Sequence, residues 1–336
     1  MPETFTTESG FVFKEFELSY RSWGTLSKKR DNVILIFHPL TGDSNAEEWF
    51  HGFFTQKSPI DLDRHYVLCI NTPGSCYGST GPQSLNPQTQ RAYGPSFPVL
   101  TIRDIVQMEL YLINHLNITA IQCVIGGSMG GMIALEFALI DPRIKRAFLM
   151  AMGKAHTAWS IGLSHLQRKA IYQDTNWNGG WYSDEAPPSQ GLSLARQIGM
   201  MTYRSPEDYE AKFSRDIRKI TEHPYYEVES YLDYQGQKLD KRFDALSYER
   251  LTRSMDTHDI SRGRGNFKEV ASLVTIPIHI VGIQSDALYP IAEQEELAQL
   301  LPNAEFTTIK SRYGHDAFLI EFEQLTKILA LFFANT

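Results

Sequence analysis

Five short apolar runs recur at wide intervals along the chain and constrain its fold more than any other feature. They are residues 33–37 (VILIF), 66–70 (YVLCI), 121–125 (IQCVI), 147–151 (AFLMA) and 276–281 (IPIHIV). Runs of this length without regular polar alternation are typical of strands buried on both faces of a sheet. Helical patterns at residues 102–116 and 129–140 separate several of them. This alternation predicts an α/β fold in which a mostly parallel sheet is flanked by helices.

The two ends of the chain carry further elements of this sheet. The first twenty residues alternate apolar and polar positions, as in FVFKEF at residues 11–16, which predicts antiparallel strands at one sheet edge. Near the carboxyl end the pattern predicts a helix near residues 291–301, a strand near residues 305–309 and a last helix over residues 317–333. Both ends therefore belong to one sheet domain.

The middle of the chain has a different character. From residue 154 to residue 270 the strand pattern stops, and helical stretches such as residues 192–203 and 206–220 replace it. We therefore expect an α/β core made of residues 1–153 and 271–336, interrupted by a helical lid insertion at residues 154–270 that covers the sheet.

Length and charge bound the kind of partner. A chain of 336 residues with 42% hydrophobic content can bury a large core. Its formal net charge of −7 argues against nucleic acid as the main partner, because phosphate binding needs a basic patch. A small-molecule partner is the better expectation, and neither nucleic acid nor a membrane is predicted as a partner.

The cysteines and the amino-terminal sequence bear on location. Cys69, Cys76 and Cys123 are three in number and lack CxxC spacing, so neither a disulfide framework nor a zinc site is indicated. The start of the sequence, MPETFTTESGF, does not have the pattern of a signal peptide, and no apolar run approaches the length of a membrane span. We expect a cytoplasmic protein.

Four glycines surround one serine in VIGGSMGG, at residues 124–131. The motif Gly126-x-Ser128-x-Gly130 falls between a predicted buried strand and the helix that Met129 opens, the setting of a nucleophile elbow. The pattern alone also fits a glycine-rich turn that binds phosphate or only packs. A serine nucleophile needs a general base and an orienting carboxylate, which in this fold follow in the order Asp, then His.

The chain offers one histidine in the required place. Of ten histidines only His315 follows the run at residues 276–281, and it lies in a glycine-containing loop before the last predicted helix. Asp286 comes just after that run, where the carboxyl ends of parallel strands present ligand-binding residues. The order Ser128, Asp286, His315 favours catalysis over the alternatives of a capping aspartate and a surface histidine.

An oxyanion hole requires two backbone N–H donors. One is expected from Met129, after the serine, and the other from the loop HPLTGD after the run at residues 33–37. Pro39 has no N–H, so Leu40 or Thr41 must donate. We favour Leu40 as the donor and place Thr41 among the substrate-binding residues.

With these motifs the chain resembles the homoserine O-acetyltransferases of the α/β-hydrolase superfamily, which are acyltransferases of methionine biosynthesis. The resemblance covers nearly the whole chain. It is carried by HPLTGDS, CYGSTGP, YGPSFPVLTIRD, GGSMGG, QRKAI, GLSLARQIGMMTYRS, MDTHDISRGRG, SDALYP and YGHDAF. Most of these motifs are longer and more specific than GxSxG, which belongs to the entire superfamily.

The resemblance implies a reaction and the residues that perform it. Ser128 would be acylated by acetyl-CoA as co-substrate, His315 would carry the proton, and L-homoserine would take the acyl group in a ping-pong sequence. Arg196, Tyr203 and Asp316 match the family's residues for the carboxylate and ammonium of the acceptor. The resemblance implies no permanently bound cofactor and no metal. It does imply a homodimer formed through the lid.

Other readings of the same sequence stay open. Pro39, Asn45, Pro73 and Ser75 depart from the commoner family pattern, which leaves succinyl-CoA as an alternative donor and serine as an alternative acceptor. A carboxylesterase would share the triad but would not need Arg196, Tyr203 and Asp316. A non-catalytic relative is disfavoured because all three triad residues are present.

Four further residues are given structural interpretations. Arg262 and Arg264 lack a glycine-rich phosphate loop, so we expect them to anchor the insertion rather than to bind CoA phosphates. Cys76 is expected to be a packed loop residue and not a nucleophile. His258 precedes Asp286 and is out of order for the triad.

Overall fold

A seven-stranded sheet forms the centre of the computed structural model, which describes residues 4–55, 58–220 and 222–334. In chain order its strands are β1 (Tyr20–Trp23), β2 (Val33–Phe37), β3 (Tyr66–Ile70), β4 (Ile121–Gly127), β5 (Ala147–Met150), β6 (Ile278–Ile283) and β7 (Ala304–Ile309). Their order across the sheet is β7-β6-β5-β4-β2-β3-β1. All neighbours are parallel except β1 and β3. The predicted α/β fold with a mostly parallel sheet is confirmed.

Burial on both faces explains why the strands are continuous apolar runs. Every residue of β2, β5 and β6 is buried. The helices that cover the sheet are α1 (Ala46–Trp49), α2 (Ile102–His115), α3 (Met129–Ile140), α10 (Ile291–Leu300) and α11 (Phe322–Ala334). Helix α3 is the most deeply buried of them, with an unbroken buried stretch from Met129 to Phe137. The element that carries Ser128 is therefore held from all sides.

The segment between β5 and β6 is mainly helical, as the sequence predicts. Its helices are α4 (Ala158–Tyr172), α5 (Ser189–Tyr203), α6 (Pro206–Phe213), α7 (Glu227–Asp240), α8 (Ala245–Asp256) and α9 (Phe267–Ala271). The expected helix at residues 206–220 is wrong in its second half. Ser214 has a φ of 41° and ends α6, and Ile217–Ile220 pairs with Pro224–Tyr226 as a hairpin. β-Branched Ile217 and Ile220 favour the strand.

Two other predicted elements differ from the structure. The amino-terminal strands Phe5–Thr6 and Val12–Phe13 form a separate two-stranded sheet, and only β1 reaches the edge of the main sheet. The last helix is not continuous from residue 317, because Gly314–Leu319 forms a 3-10 helix before α11 begins. That tighter turn carries His315. Among the described residues no helix is both long and apolar enough to cross a membrane.

Candidate active site

Ser128 occupies a sharp turn between β4 and α3. Its φ of 56° and ψ of −128° are values that residues with a side chain rarely adopt. The backbone N–H of Ser128 donates to the carbonyl oxygen of Met150 at 3.0 Å, which ties the turn to the neighbouring strand β5. The serine side chain therefore stands at the carboxyl edge of the sheet beside the first turn of α3, where free N–H groups gather.

The four glycines around Ser128 are explained by close packing. A Cβ on Gly126 would overlap the carbonyl oxygen of Gly130, and a Cβ on Gly130 would overlap that of Phe37. Cβ atoms on Gly127 and Gly131 would lie 2.6 Å from the ring of Phe318 and 2.7 Å from the Met152 side chain. Each position meets neighbours too close for a side chain. The glycines hold strand and helix in contact at the turn.

Gly130→Ala is expected to destabilise the protein by several kcal/mol, because the atom it meets is the backbone of β2 and cannot turn away. Gly162→Ala is the matched control, since a Cβ there meets nothing within 4 Å on an exposed face of α4. That change should be neutral or stabilise by up to about 1 kcal/mol. Urea unfolding of both variants measures the difference, and equal midpoints would contradict this account of the turn.

His315 and Asp286 are in direct contact. His315 Nδ1 lies 2.7 Å from Asp286 Oδ2, and both side chains are buried. The other oxygen, Oδ1, accepts from the backbone N–H groups of Leu288 at 2.8 Å and Tyr289 at 2.9 Å. Three hydrogen bonds therefore fix the carboxylate, which leaves His315 Nε2 as the nitrogen available to a substrate or to Ser128.

The loops that carry these two residues are tied together. Ser285 Oγ donates to the carbonyl oxygen of Ser311 at 2.5 Å and accepts from the N–H of Gly314 at 3.1 Å. The serine before Asp286 thus reaches the glycine before His315. This contact sets the two loops at the spacing that the Asp286–His315 hydrogen bond needs.

His38 supports the loop that follows β2, a role that sequence reasoning missed. It is completely buried; its Nδ1 lies 2.9 Å from the carbonyl oxygen of Pro39, and its Nε2 accepts from the N–H of Thr72 at 2.9 Å. Burial lowers the pKa of the His38 imidazole, so the ring is neutral and Nδ1 donates to Pro39. His38 thereby holds the loop that carries Leu40 and Thr41. The only sequence signal was its position in the motif HPLTGDS.

One cavity of about 80 Å³ brings the predicted residues together. Its wall contains all but two of the predicted site residues, namely Ser128, His315, Leu40, Thr41, Arg196, Tyr203 and Asp316. Of the remaining two, Asp286 lies behind His315, and Met129 is the buried first residue of α3. Residues separated by nearly three hundred positions in sequence thus share one chamber under the helical segment.

Arg196 and Tyr203 lie two turns apart on α5, and the Arg196 guanidinium sits 5.0 Å from the centre of the Tyr203 ring. Burial raises the pKa of the Tyr203 phenol, while Arg196 acts in the opposite direction. Helix α5 contains no Asp or Glu that could pair with Arg196. Arg196 lies in the cavity wall, where its guanidinium is a positive charge. A guanidinium in this setting suits a ligand carboxylate.

Asp316 has a partner that the sequence did not predict. Arg204 Nε lies 3.1 Å from Asp316 Oδ2. Burial raises the pKa of the Asp316 carboxyl, and the nearby guanidinium groups of Arg204 and Arg196 oppose that rise. Arg204 follows Tyr203 directly in MTYRS, but nothing in that spacing shows that it turns toward the loop of His315.

The residues given structural interpretations lie outside the cavity. Arg264 pairs with Glu136 of α3, with one N–O distance of 2.9 Å, and Arg262 pairs with Glu8 at 2.6 Å. Burial raises the pKa of the Cys76 thiol to about 11, so it is not an activated nucleophile. These contacts fit anchoring and packing, as the sequence suggests.

Comparison with known proteins first defines a class. A family model described as the alpha/beta hydrolase fold matches residues 32–322, and the chain is an α/β hydrolase by fold. A curated homoserine O-acetyltransferase of Chlorobium chlorochromatii is 46% identical over 97% of this chain and 92% of its own length. The chain therefore belongs to the homoserine O-acetyltransferase family.

Solved structures agree with this assignment. The crystal structure of homoserine O-acetyltransferase from Bacillus anthracis superposes with a TM-score of 0.92 at 27% identity, over 98% of this chain and 95% of that one. The structure of esterase E22 superposes with a TM-score of 0.87 at 25% identity, over 99% of this chain and 97% of that one. The same scaffold thus occurs in a transferase and in an esterase, and the site must distinguish between them.

Proposed function

We propose that this chain transfers an acetyl group from acetyl-CoA to the hydroxyl of L-homoserine by a ping-pong mechanism. The observation that carries the proposal is the shared cavity: the Ser128 and His315 side chains open into the same chamber as Arg196, Tyr203 and Asp316. An ester hydrolase needs only the serine and the histidine. The arginine, tyrosine and aspartate are needed when the enzyme must bind an amino acid as the acceptor. Family membership supports the same reaction.

In the first half-reaction His315 Nε2 takes the proton of Ser128 as the serine oxygen attacks the thioester carbonyl. Asp286 holds Nδ1 and stabilises the imidazolium that forms. The N–H groups of Met129 and Leu40 stabilise the oxyanion of the tetrahedral intermediate. Its collapse breaks the C–S bond, His315 gives its proton to the sulfur, and CoA leaves as the thiol. Ser128 then carries the acetyl group as an ester.

The second half-reaction repeats these steps with a different nucleophile. Arg196 binds the acceptor's carboxylate, and Asp316 and Tyr203 bind its ammonium, which directs the hydroxyl toward the acetyl-enzyme. His315 takes the hydroxyl proton, the new ester bond forms, and Ser128 is released with the proton that His315 returns. Enclosure by the helical segment limits hydrolysis of the acetyl-enzyme.

The wall of the cavity favours acetyl over succinyl as the transferred group. Apolar side chains dominate it, among them Leu40, Met255, Leu288, Phe318 and Leu319. Among the described residues of the wall, Arg196 is the only arginine or lysine, and the acceptor carboxylate requires it. A succinyl carboxylate would be desolvated there without a cation of its own.

Arg196→Ala should raise the KM for homoserine by about tenfold or more, because a buried charge-assisted hydrogen bond contributes about 1.5–3 kcal/mol. Acetylation of Ser128 by acetyl-CoA should change less than about twofold. Steady-state kinetics with varied homoserine, together with single-turnover acetylation, separates the two effects. Gln190→Ala, at an exposed position near the start of the same helix, is the control. A defect confined to the donor half-reaction would contradict the assignment.

Residues 154–270 serve as the lid in this proposal, and they also support a homodimer. Trp159 and Leu166 on α4, and Leu194 and Met201 on α5, are about half exposed. Each pair is seven residues, or two helical turns, apart and so shares a face. Large apolar side chains clustered on adjoining helices are typical of an interface.

The dimer is tested by mass. We expect light scattering to give twice the mass of the 38.3 kDa chain, and the double variant Leu194→Asp, Met201→Asp to give the monomer. Leu331→Asp on α11, a position that is 65% exposed, should leave the mass unchanged. A monomeric wild-type protein would overturn this part of the proposal.

The cysteines Cys69, Cys76 and Cys123 are unpaired, which fits the proposed cytoplasmic location.

A further inference from the structure

A short turn after β2 carries Leu40, the proposed second donor of the oxyanion hole. The N–H of Gly42 donates to the carbonyl oxygen of Pro39 at 2.8 Å, which closes a four-residue turn with Leu40 and Thr41 at its centre. Among the residues that the structure describes, no protein group accepts from the N–H of Leu40 or of Thr41. The turn therefore leaves both donors free, and both residues line the cavity of Ser128.

One residue of the helical lid reaches this turn from a distant part of the chain. Arg242 lies in the connection between α7 and α8, and its Nη1 donates to the carbonyl oxygen of Thr41 at 2.7 Å. Its Nη2 lies 3.5 Å from the hydroxyl oxygen of Thr41. The two residues are 201 positions apart in the sequence. Thr41 lines the cavity and Arg242 does not, so the arginine contacts the turn from outside the cavity wall.

Tyr77 holds the arginine in this position. Arg242 Nη1 also donates to the Tyr77 hydroxyl at 2.7 Å, and that hydroxyl donates to the backbone carbonyl oxygen of Arg242 at 3.0 Å. The Tyr77 ring packs edge-on against Phe243, with 5.6 Å between the ring centres. Asn71 Nδ2 donates to the Tyr77 carbonyl oxygen at 2.7 Å, and Asn71 Oδ1 accepts from the N–H of Ser44 at 2.6 Å. Tyr77 thus ties Arg242 to the loop that begins with the turn.

These contacts place a positive charge at one end of a row of peptide groups. The guanidinium donates to the C=O of Thr41, and the same peptide group carries the N–H of Gly42. That N–H donates to the C=O of Pro39, whose peptide group carries the N–H of Leu40. Hydrogen bonds in such a row polarise one another, because a peptide group that accepts at its oxygen becomes a better donor at its N–H. The guanidinium therefore strengthens the N–H of Leu40 through two successive peptide groups.

We propose that Arg242 is a positioning residue for the oxyanion hole: from the lid it fixes the peptide groups that present the N–H of Leu40, and it strengthens that donor. The inference rests on the proposed function for the role of Leu40. Both half-reactions form an oxyanion at the same place, so Arg242 serves both of them.

Arg242→Met tests this role through acylation by two donors. Acylation of Ser128 by acetyl-CoA and by p-nitrophenyl acetate should each slow about tenfold, less than the loss of about 10²–10³-fold that follows removal of a whole oxyanion donor. The second donor contains no CoA, so a loss with it does not arise from CoA binding. Transfer from the acetyl-enzyme to homoserine should slow by the same factor.

The carbonyl group of the acetyl-enzyme reports on the oxyanion hole directly. In wild-type protein acetylated with isotope-labelled acetyl-CoA, the N–H groups of Leu40 and Met129 should lower the infrared stretching frequency of the ester carbonyl. Arg242→Met should raise that frequency, because the Leu40 donor is then weaker and less firmly held. A lower folding stability alone would leave the frequency unchanged.

Two further variants complete the test. Tyr77→Phe keeps the packing against Phe243 but removes the hydroxyl that holds Arg242, so it should cause a smaller loss of about threefold in acylation. Lys241→Met is the matched control, because it removes the same charge from the neighbouring exposed position. Within the described part of the chain the Lys241 side chain makes no hydrogen bond or ion pair. This variant should match the wild type in acylation rate and carbonyl frequency.

The possible outcomes separate the two proposals. Slower acylation by both donors together with a raised carbonyl frequency supports the positioning role. A loss confined to acetyl-CoA would make Arg242 a CoA-binding residue, and slower acylation with an unchanged frequency would make it a structural one; either result overturns the inference. A wild-type protein that shows the Arg242 effects but does not transfer acetyl to homoserine would refute the proposed function alone.

Discussion

Ser128→Ala should abolish acetyl transfer, with a loss of kcat on the order of 10⁶-fold, because the variant lacks the hydroxyl that is proposed to carry the acetyl group. The backbone of the turn does not depend on the hydroxyl: the Ser128 N–H is bonded to Met150, and close contacts of Gly126 and Gly130 hold the turn. The variant should therefore fold with an unchanged Tm and still bind both substrates. Stopped-flow release of CoA measures the first turnover.

The acetyl-enzyme can be detected directly, by its mass. Wild-type protein mixed with acetyl-CoA and no acceptor should gain the mass of one acetyl group, and peptide mapping should find it on Ser128. Ser128→Ala should gain none. Turnover close to that of the wild type, or an acetyl group on another residue, would refute the serine mechanism.

Asp286→Asn should lower kcat in both half-reactions by a factor on the order of 10⁴. The geometry gives a specific reason. Oδ1 of Asp286 accepts from two backbone N–H groups, so an asparagine would keep its oxygen there and turn its NH₂ toward His315 Nδ1. His315 would then accept at Nδ1 and carry its proton on Nε2, the wrong tautomer for a base toward Ser128.

The same geometry predicts that Asp286→Asn folds normally, because the two backbone hydrogen bonds are retained. Asp259→Asn is the control, since the side chain of Asp259 only caps its own turn through Ser261. The Asp286 variant should have a normal Tm together with its kinetic defect. Full activity would require another carboxylate to orient His315.

The sequence predicts the framework of the molecule well, for a clear physical reason. Strands buried on both faces must be continuous apolar runs, and β2 and β3 have the predicted bounds. The turn of Ser128 is also predictable, because its glycines are local requirements of close backbone packing. Family motifs then supply Arg196, Tyr203 and Asp316, which composition and spacing alone would have left as an amphipathic helix and a loop.

What the sequence could not predict depends on contacts between distant segments. His38 is recognisable as a support of the oxyanion loop only when Thr72 is seen beside it. Arg204 turns to Asp316, more than a hundred residues away, and a sequence pattern carries no such information. The broken helix before α11 was missed because a 3-10 turn has no distinctive period.

The scaffold is shared with an esterase, so chemistry at Ser128 does not by itself define the reaction. The difference lies in what attacks the acetyl-enzyme. In the proposed function Arg196 and Asp316 provide charges, and Tyr203 a hydroxyl, that an amino acid would meet and that water does not need. The acceptor, and not the nucleophile, therefore distinguishes the proposed transferase from an esterase.

The most direct measurement is CoA-thiol release by the purified protein with acetyl-CoA, with and without L-homoserine, alongside succinyl-CoA and L-serine as alternative substrates. We expect rapid steady release only with acetyl-CoA and homoserine together, and a single-turnover burst when the acceptor is omitted. Equal steady release without an acceptor would contradict the account and make the protein a thioester hydrolase built on the same scaffold.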